Sequence, residues 1–254
     1  SGTDAMNETE LVFPFDPVQR AGEAERLVME GEKRLYYKFR AAPYYGGIAT
    51  ADAIGCSFLC AYCWNYGRNL SPSRFGKLYS SQEVASILLS IARRRFFRLY
   101  RITGSEPVLG ESSFKHLLRV LQIIFEEAPR SVFILETNGL ILGCRTDFIE
   151  QLRFRNLWVR IAIKGTDSSS FEQITGAKKE FFRYPFLALQ ELEKQGIRAW
   201  PAVMRELFTE SEIRGLREIL DEYRIKAELE EETLEAYPFV LENLKRRNIP
   251  LKKI

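Results

Sequence analysis

The chain has 254 residues, 46% hydrophobic and 28% charged, with a net charge of +3; this fits a globular fold with a sizeable core and excludes a low-complexity or disordered class. No apolar run reaches the roughly 20 residues that cross a bilayer. Four cysteines in a chain of this size, without a secretory signal, point to a reducing, cytoplasmic setting rather than a disulfide framework. The charge is too mild to signal nucleic acid. The basic runs Arg93-Arg94-Arg95 and Lys245-Arg246-Arg247 read as solvated helix ends, one of them suited to docking an acidic electron carrier.

Ser1 to Ala5 precede the first methionine and read as an added leader. With the following charged and aromatic stretch they make up residues 1–46, a leader remnant and N-terminal cap. Asp16-Pro17 starts a helix that Gly31 ends. Leu35, Tyr37 and Phe39 then alternate with Tyr36, Lys38 and Arg40 as in a half-buried strand. Residues 47–254 form the main domain, in which strands and helices alternate, so a parallel sheet covered by helices is expected.

The strands are expected at Ile48 to Ile54, Phe97 to Ile102, Ser131 to Leu135, Leu157 to Ile163, Ile197 to Val203 and Ala227 to Leu234. Capping boxes at Ser80 to Glu83 and Thr209 to Glu212 start two of the helices. A long helix is expected from Lys179 to Gln195 and a last one from Pro238 to Arg247. Six strand-helix units fall two short of a complete eight-unit barrel. The fold expected is therefore α/β, a partial (β/α)6 TIM-like barrel with a short N-terminal extension, its ligand sites at the carboxyl ends of the strands.

The chemistry centres on Cys56, Cys60 and Cys63, spaced Cys-x3-Cys-x2-Cys in one loop after the first barrel strand. A [4Fe-4S] cluster has four irons, and three thiolates leave one of them open to another ligand. A rival reading is a zinc site completed by Cys144 or His116. Structural zinc sites, however, draw their ligands as pairs from separate loops. His116, the only histidine, reads as a surface or half-buried helix residue, and Cys144 as a small apolar filler. No further cysteine cluster occurs, so no cysteine-rich auxiliary domain is expected.

The cysteine spacing, with Tyr62 before its last member, resembles the radical S-adenosylmethionine (SAM) superfamily. The resemblance runs from about Ile48 to Leu234 and implies that SAM chelates the open iron and that Tyr62 lies against its adenine. Within the superfamily the chain is most similar to glycyl-radical enzyme activating enzymes of the pyruvate formate-lyase activase type. Asn65 matches that family's Cys-x-Asn, and Thr103-Gly104-Ser105-Glu106-Pro107 resembles its Ser-Gly-Gly-Glu-Pro, implying that Gly104, Ser105 and Glu106 hold SAM's amino group. Glu136-Thr137-Asn138-Gly139 resembles the family's Asp-Thr-Asn-Gly, and Ile163-Lys164 resembles the end of its Asp-Ile-Lys, implying that Lys164 lies near the methionine moiety. Phe171 to Gly176 echoes His-x-x-Leu-Thr-Gly.

The chain departs from these patterns at Ser105, Glu136, Ala162 and Phe171. Trp64 and Tyr66 are placed to shield a radical, and Arg68 and Arg160 to meet a carboxylate. The function expected is reductive cleavage of SAM and hydrogen abstraction from a glycine of a partner enzyme, with a flavodoxin- or ferredoxin-type electron donor. Two other functions are kept beside it. One is a radical SAM enzyme acting on a small molecule or nucleoside, as the compact 7-carboxy-7-deazaguanine synthases do; the other is a non-catalytic iron-sulfur or zinc module.

Overall fold

The computed structural model describes residues 11–252; the leader at residues 1–5 lies outside them. Asp16 accepts hydrogen bonds from the Val18 and Gln19 amides at 2.9 and 3.1 Å and so caps α1, Pro17–Val28. That helix stops before Gly31 because Met29–Glu30 (β1) turns back through Gly31, at φ +60°, to pair with Lys33–Ala42 (β2). Glycine takes that φ without the steric cost a side chain would add.

The simple alternation expected along β2 is broken. A bulge between Tyr36 and Lys38 shifts the register against Ile48–Ala53 (β3). Such an extra residue reverses which face each side chain meets. Arg34 and Tyr36 are accordingly buried, while Tyr37 faces the cavity described below.

Beyond β3 come α2 (Tyr66–Leu70), β4 (Lys77–Tyr79), α3 (Ser81–Arg95), β5 (Leu99–Thr103), α4 (Glu111–Glu127) and β6 (Val132–Thr137). They are followed by α5 (Leu140–Cys144), α6 (Thr146–Glu150), β7 (Leu157–Ile163), α7 (Ser168–Thr175), α8 (Tyr184–Lys194), β8 (Arg198–Met204), α9 (Glu210–Glu222), β9 (Glu230–Glu232) and α10 (Pro238–Arg246). Both expected capping boxes are formed. The long helix expected from Lys179 is divided: Lys179–Arg183 winds as a 3-10 turn, and α8 begins one residue before Pro185, whose ring suits a helix start and not its interior. The sixth barrel strand is also shorter than expected, since only Glu230, Glu231 and Glu232 pair with β8 before that strand ends at Met204.

These strands make one sheet in the order β1-β2-β3-β5-β6-β7-β8-β9, with β4 added to β2. From β3 to β9 all neighbours are parallel, so six parallel strands form the expected partial barrel. Helices pack on its outside around the main core. Inside, a small apolar layer of Ala42, Ile48 and Ile134, flanked by Leu99, Val132, Trp158 and Trp200, floors the lumen. Side chains on a strand alternate between faces. Two residues on from that floor, the same inner face therefore presents Thr50, Arg101, Glu136 and Arg160. The lumen is apolar at its base and charged above it.

Candidate functional site

The cysteine loop leaves the carboxyl end of β3 and is held down by its backbone. The Leu59 and Ala61 amides donate to the carbonyls of Thr175 and Ile174 at the end of α7, both at 3.0 Å. Phe58 packs edge-on against Phe171, with ring centroids 5.3 Å apart. Arg247 adds a clamp, donating to the carbonyls of Leu59, Gln173 and Ile174. The stretch from Phe171 to Gly176 is thus a seat for the loop.

Donors also reach the sulfurs. The Phe58 amide lies 3.5 Å from Cys56 Sγ, the Asn65 amide 3.4 Å and Asn69 Nδ2 3.6 Å from Cys63 Sγ. Hydrogen bonds of this kind orient a metal-bound thiolate and tune its potential. Burial pushes the Cys56 thiol up to about 12 and that of Cys63 up to about 11; it raises Cys60 as well, opposed there by the nearby cations of Lys164 and Arg247. Metal binding must therefore displace protons.

The turn after β5 lies alongside. Gly104 has φ +86°, and a Cβ there would lie 3.2 Å from the Asp52 side chain. Its carbonyl accepts from Asn65 Nδ2. Glu106 is buried and accepts from the Val108 and Asn138 amides at 2.9 and 2.7 Å and from the Thr137 hydroxyl at 2.7 and 2.9 Å. Those contacts take up both carboxylate oxygens, so Glu106 ties the β5 turn to the β6 turn. From β2, Arg34 donates to the carbonyls of Ile54, Glu106 and Pro107 at 3.0, 2.7 and 2.7 Å. In that turn the buried Ser105 Oγ has no partner among the described residues.

Across the cavity, Asn138 Nδ2 donates to Ser57 Oγ at 2.9 Å, joining the β6 turn to the cysteine loop. Glu136 accepts from Arg101 at 3.0 Å, Thr103 at 2.8 Å and Tyr45 at 3.1 Å. Burial would raise its pKa, but Arg101 and Arg160 prevail and hold it below the usual carboxylate range. Lys164 Nζ sits 5.0 Å from the centre of the Tyr62 ring. Burial alone would lower that ammonium, whereas Tyr62, Cys60 and Glu232 raise it well above its ordinary value.

Cys56, Cys60, Cys63, Tyr62, Gly104, Ser105, Glu106, Glu136, Thr137, Asn138 and Lys164 all border one cavity of about 910 Å³. Trp64 and Arg68 border it too; Tyr66 is buried beside the loop without lining the cavity. Arg160 is already paired with Glu230 and Glu232 and does not wait for a carboxylate. Cys144 and His116 lie outside the cavity wall. His116 is buried rather than at the surface: Tyr36, Ser81 and the Glu32 carbonyl surround its ring nitrogens, and burial lowers it to about 4. Among the described residues no three histidine, cysteine, aspartate or glutamate side chains converge as a single ion requires. Three thiols spread along one wall suit a group that offers each its own iron.

Sequence reading missed Arg34, Asn69 and Arg247. Arg247 carried a signal, a basic run at a helix end, but that signal pointed to solvent. Arg34 has its partners far off in the chain, and Asn69 reaches Cys63 only because α2 folds back over the cysteine loop.

Comparison with known proteins decides the family. The sequence profile of the Radical SAM superfamily matches residues 53–226. The chain belongs to the radical SAM superfamily. It is an enzyme, and its cofactors are a [4Fe-4S] cluster and SAM. Among curated relatives, GTP 3',8-cyclase of Microcystis aeruginosa is 25% identical over 121 residues, 48% of this chain and 35% of that protein. The cyclase of Crocosphaera subtropica is 23% identical over 142 residues, 56% of this chain and 40% of that protein. This radical SAM chain thus spans well under half the length of the relatives it matches. Among solved structures, Streptococcus suis SuiB bound to S-adenosylmethionine superposes with a TM-score of 0.57 at 14% identity, covering 77% of this chain and 44% of that one; SuiB determined separately gives 0.56 at 15%. Both share the fold. No described helix is long and apolar enough to cross a membrane.

Proposed function

We propose that this radical SAM enzyme abstracts hydrogen from a small molecule held inside the barrel, rather than from a glycine of a partner enzyme. When bound, the cluster and SAM together supply a 5'-deoxyadenosyl radical, made by one-electron reduction of the sulfonium. The chain's own residues would divide the remaining work. Cys56, Cys60 and Cys63 would hold the cluster; the turns at Gly104 to Glu106 and Glu136 to Asn138, with Tyr62 and Lys164, would hold SAM. The donors aimed at the sulfurs would set the cluster's potential for a flavodoxin- or ferredoxin-type reductant in the cytoplasm.

One observation carries this reading: the cavity continues past the cofactor residues into a charged lumen bounded by Arg101, Arg160, Glu230 and Glu232. Arg160 and Glu230 pair with each other and, among the described residues, make no hydrogen bond to those given to SAM, whereas a small ligand needs convergent polar groups in a concave site. The sequence echoes of the activases lie at the cofactor edge, so they speak for SAM and not for a partner. The matched curated relatives are named for a reaction of GTP, which also favours a small substrate.

The test uses anaerobically reconstituted, reduced enzyme with SAM and a host extract separated by size. Formation of 5'-deoxyadenosine should rise with the small-molecule fraction. Stimulation confined to the macromolecular fraction, and abolished by protease, would return the function to glycyl-radical activation.

A further inference from the structure

We propose that the lumen takes a phosphate-free substrate that presents a cationic nitrogen, an amine or amidine, to the β9 side of the barrel; this rests on the small-molecule reading above. Phosphate recognition relies on guanidinium forks or ammonium groups with donors to spare. Here three of the four lining arginines, Arg40, Arg101 and Arg160, are already engaged by carboxylates. Arg40 grips the buried Asp52 through two bonds of 2.7 and 3.2 Å. Arg101 holds both oxygens of Glu136 at 3.0 and 3.3 Å. Arg160 serves two carboxylates at once, Glu230 and, at 2.6 Å, Glu232.

Three lumen arginines therefore face five lining carboxylates, because Glu235 also borders the cavity. Among the described residues Glu235 makes no ion pair, and it accepts only the Tyr44 hydroxyl, at 2.7 Å. Adding Lys38, Arg68 and Lys164 on one side, and Glu106 on the other, brings the whole wall to six cations against six carboxylates. Lys38, Arg68 and Lys164 make no ion pair among the described residues, but Arg68 lies over the Tyr37 ring and Lys164 beside Tyr62, so a triphosphate on the β9 side would meet only arginines already held by carboxylates. A cation would instead find the shared carboxylates of β9, and the rings of Tyr44, Tyr45 and Tyr237 that also line the cavity. Ring faces attract ammonium and guanidinium groups.

Tyr45 is held in this setting at some cost. Its φ is +56°, a left-handed conformation that is strained for a bulky residue. The hydroxyl bond to Glu136 keeps its ring over the lumen.

The experiment passes the small-molecule fraction at pH 7 over a quaternary-ammonium resin or a sulfonate resin before adding it to holoenzyme with SAM and reductant. The stimulation of 5'-deoxyadenosine formation should survive the first resin and be lost on the second. Loss on the quaternary-ammonium resin, or survival of both, would overturn the charge class and leave the small-molecule reading standing. Stimulation by protease-sensitive macromolecules alone would overturn both. With the fraction that passes, Glu232→Gln and Glu235→Gln should each raise the half-saturating amount about tenfold, and Glu235→Gln, which leaves Arg160 and Lys164 their carboxylate neighbours, should keep SAM affinity and melting temperature close to those of the parent. An unchanged half-saturating amount in both variants would also overturn the proposal.

Discussion

Arg34 donates to three backbone carbonyls that lie between 20 and 73 residues away in sequence, so one side chain from the second strand fixes both the start of the cysteine loop and the turn after β5. Nothing local to it announces this, because the bulge after Tyr36 reverses the alternation that sequence reading relies on. The cysteines are the opposite case, legible because their chemistry depends on spacing within one loop. Cys60→Ala should abolish the broad visible absorbance of the reconstituted cluster, and a parent-like spectrum would remove Cys60 from the ligand set. Glu136 supplies a pH test. Its folded pKa lies below the unfolded value near 4.5, so its pairing with Arg101 stabilises fully above that value and is lost as the pH falls through the folded one. Glu136→Gln should cost about 3 kcal/mol at pH 7 by stranding Arg101. The gap in melting temperature from the parent, followed by circular dichroism, should close below about pH 4.5; a gap independent of pH would show that charge is not involved.

Among the elements, those that announce themselves are the ones whose signals are local. Ser80 accepts from the Glu83 amide at 3.1 Å while Glu83 accepts from the Ser80 amide at 2.9 Å, and both halves of that box can be read from four residues. Ser80→Ala should therefore cost about 1 kcal/mol, or about 2–4 °C in melting temperature, and a shift within error would mean that α3 is held by packing alone. The short elements were not legible. β4 and α2 have too few residues to show a period, and β4 exists because β2 offers it an edge. β9 shrank for the complementary reason: its partner strand ends at Met204.

For the whole molecule, the residues singled out in the turns after the strands border one cavity, and the partial barrel was legible from the order of strands. The lumen ion pairs were not, since Arg160 meets Glu230 across 70 residues through strand parity and the register of two intervening pairings. The residues proposed to hold the cofactors come from the turns after β3, β5, β6 and β7 or from those strands, so ligand binding should be felt by most of the sheet. With SAM at 100 times its Kd, the cluster-loaded protein should gain about 2.7 kcal/mol, read as roughly 5–10 °C in calorimetric melting temperature; no shift would contradict a SAM site built from these strands. β9 has a further consequence. It is three glutamates long and closes one side of the sheet, and a second copy approaching edge to edge would set like charges against each other where strands must pair. The carboxylates that line the lumen from within thus belong to a strand whose brevity and charge also guard the open barrel against aggregation.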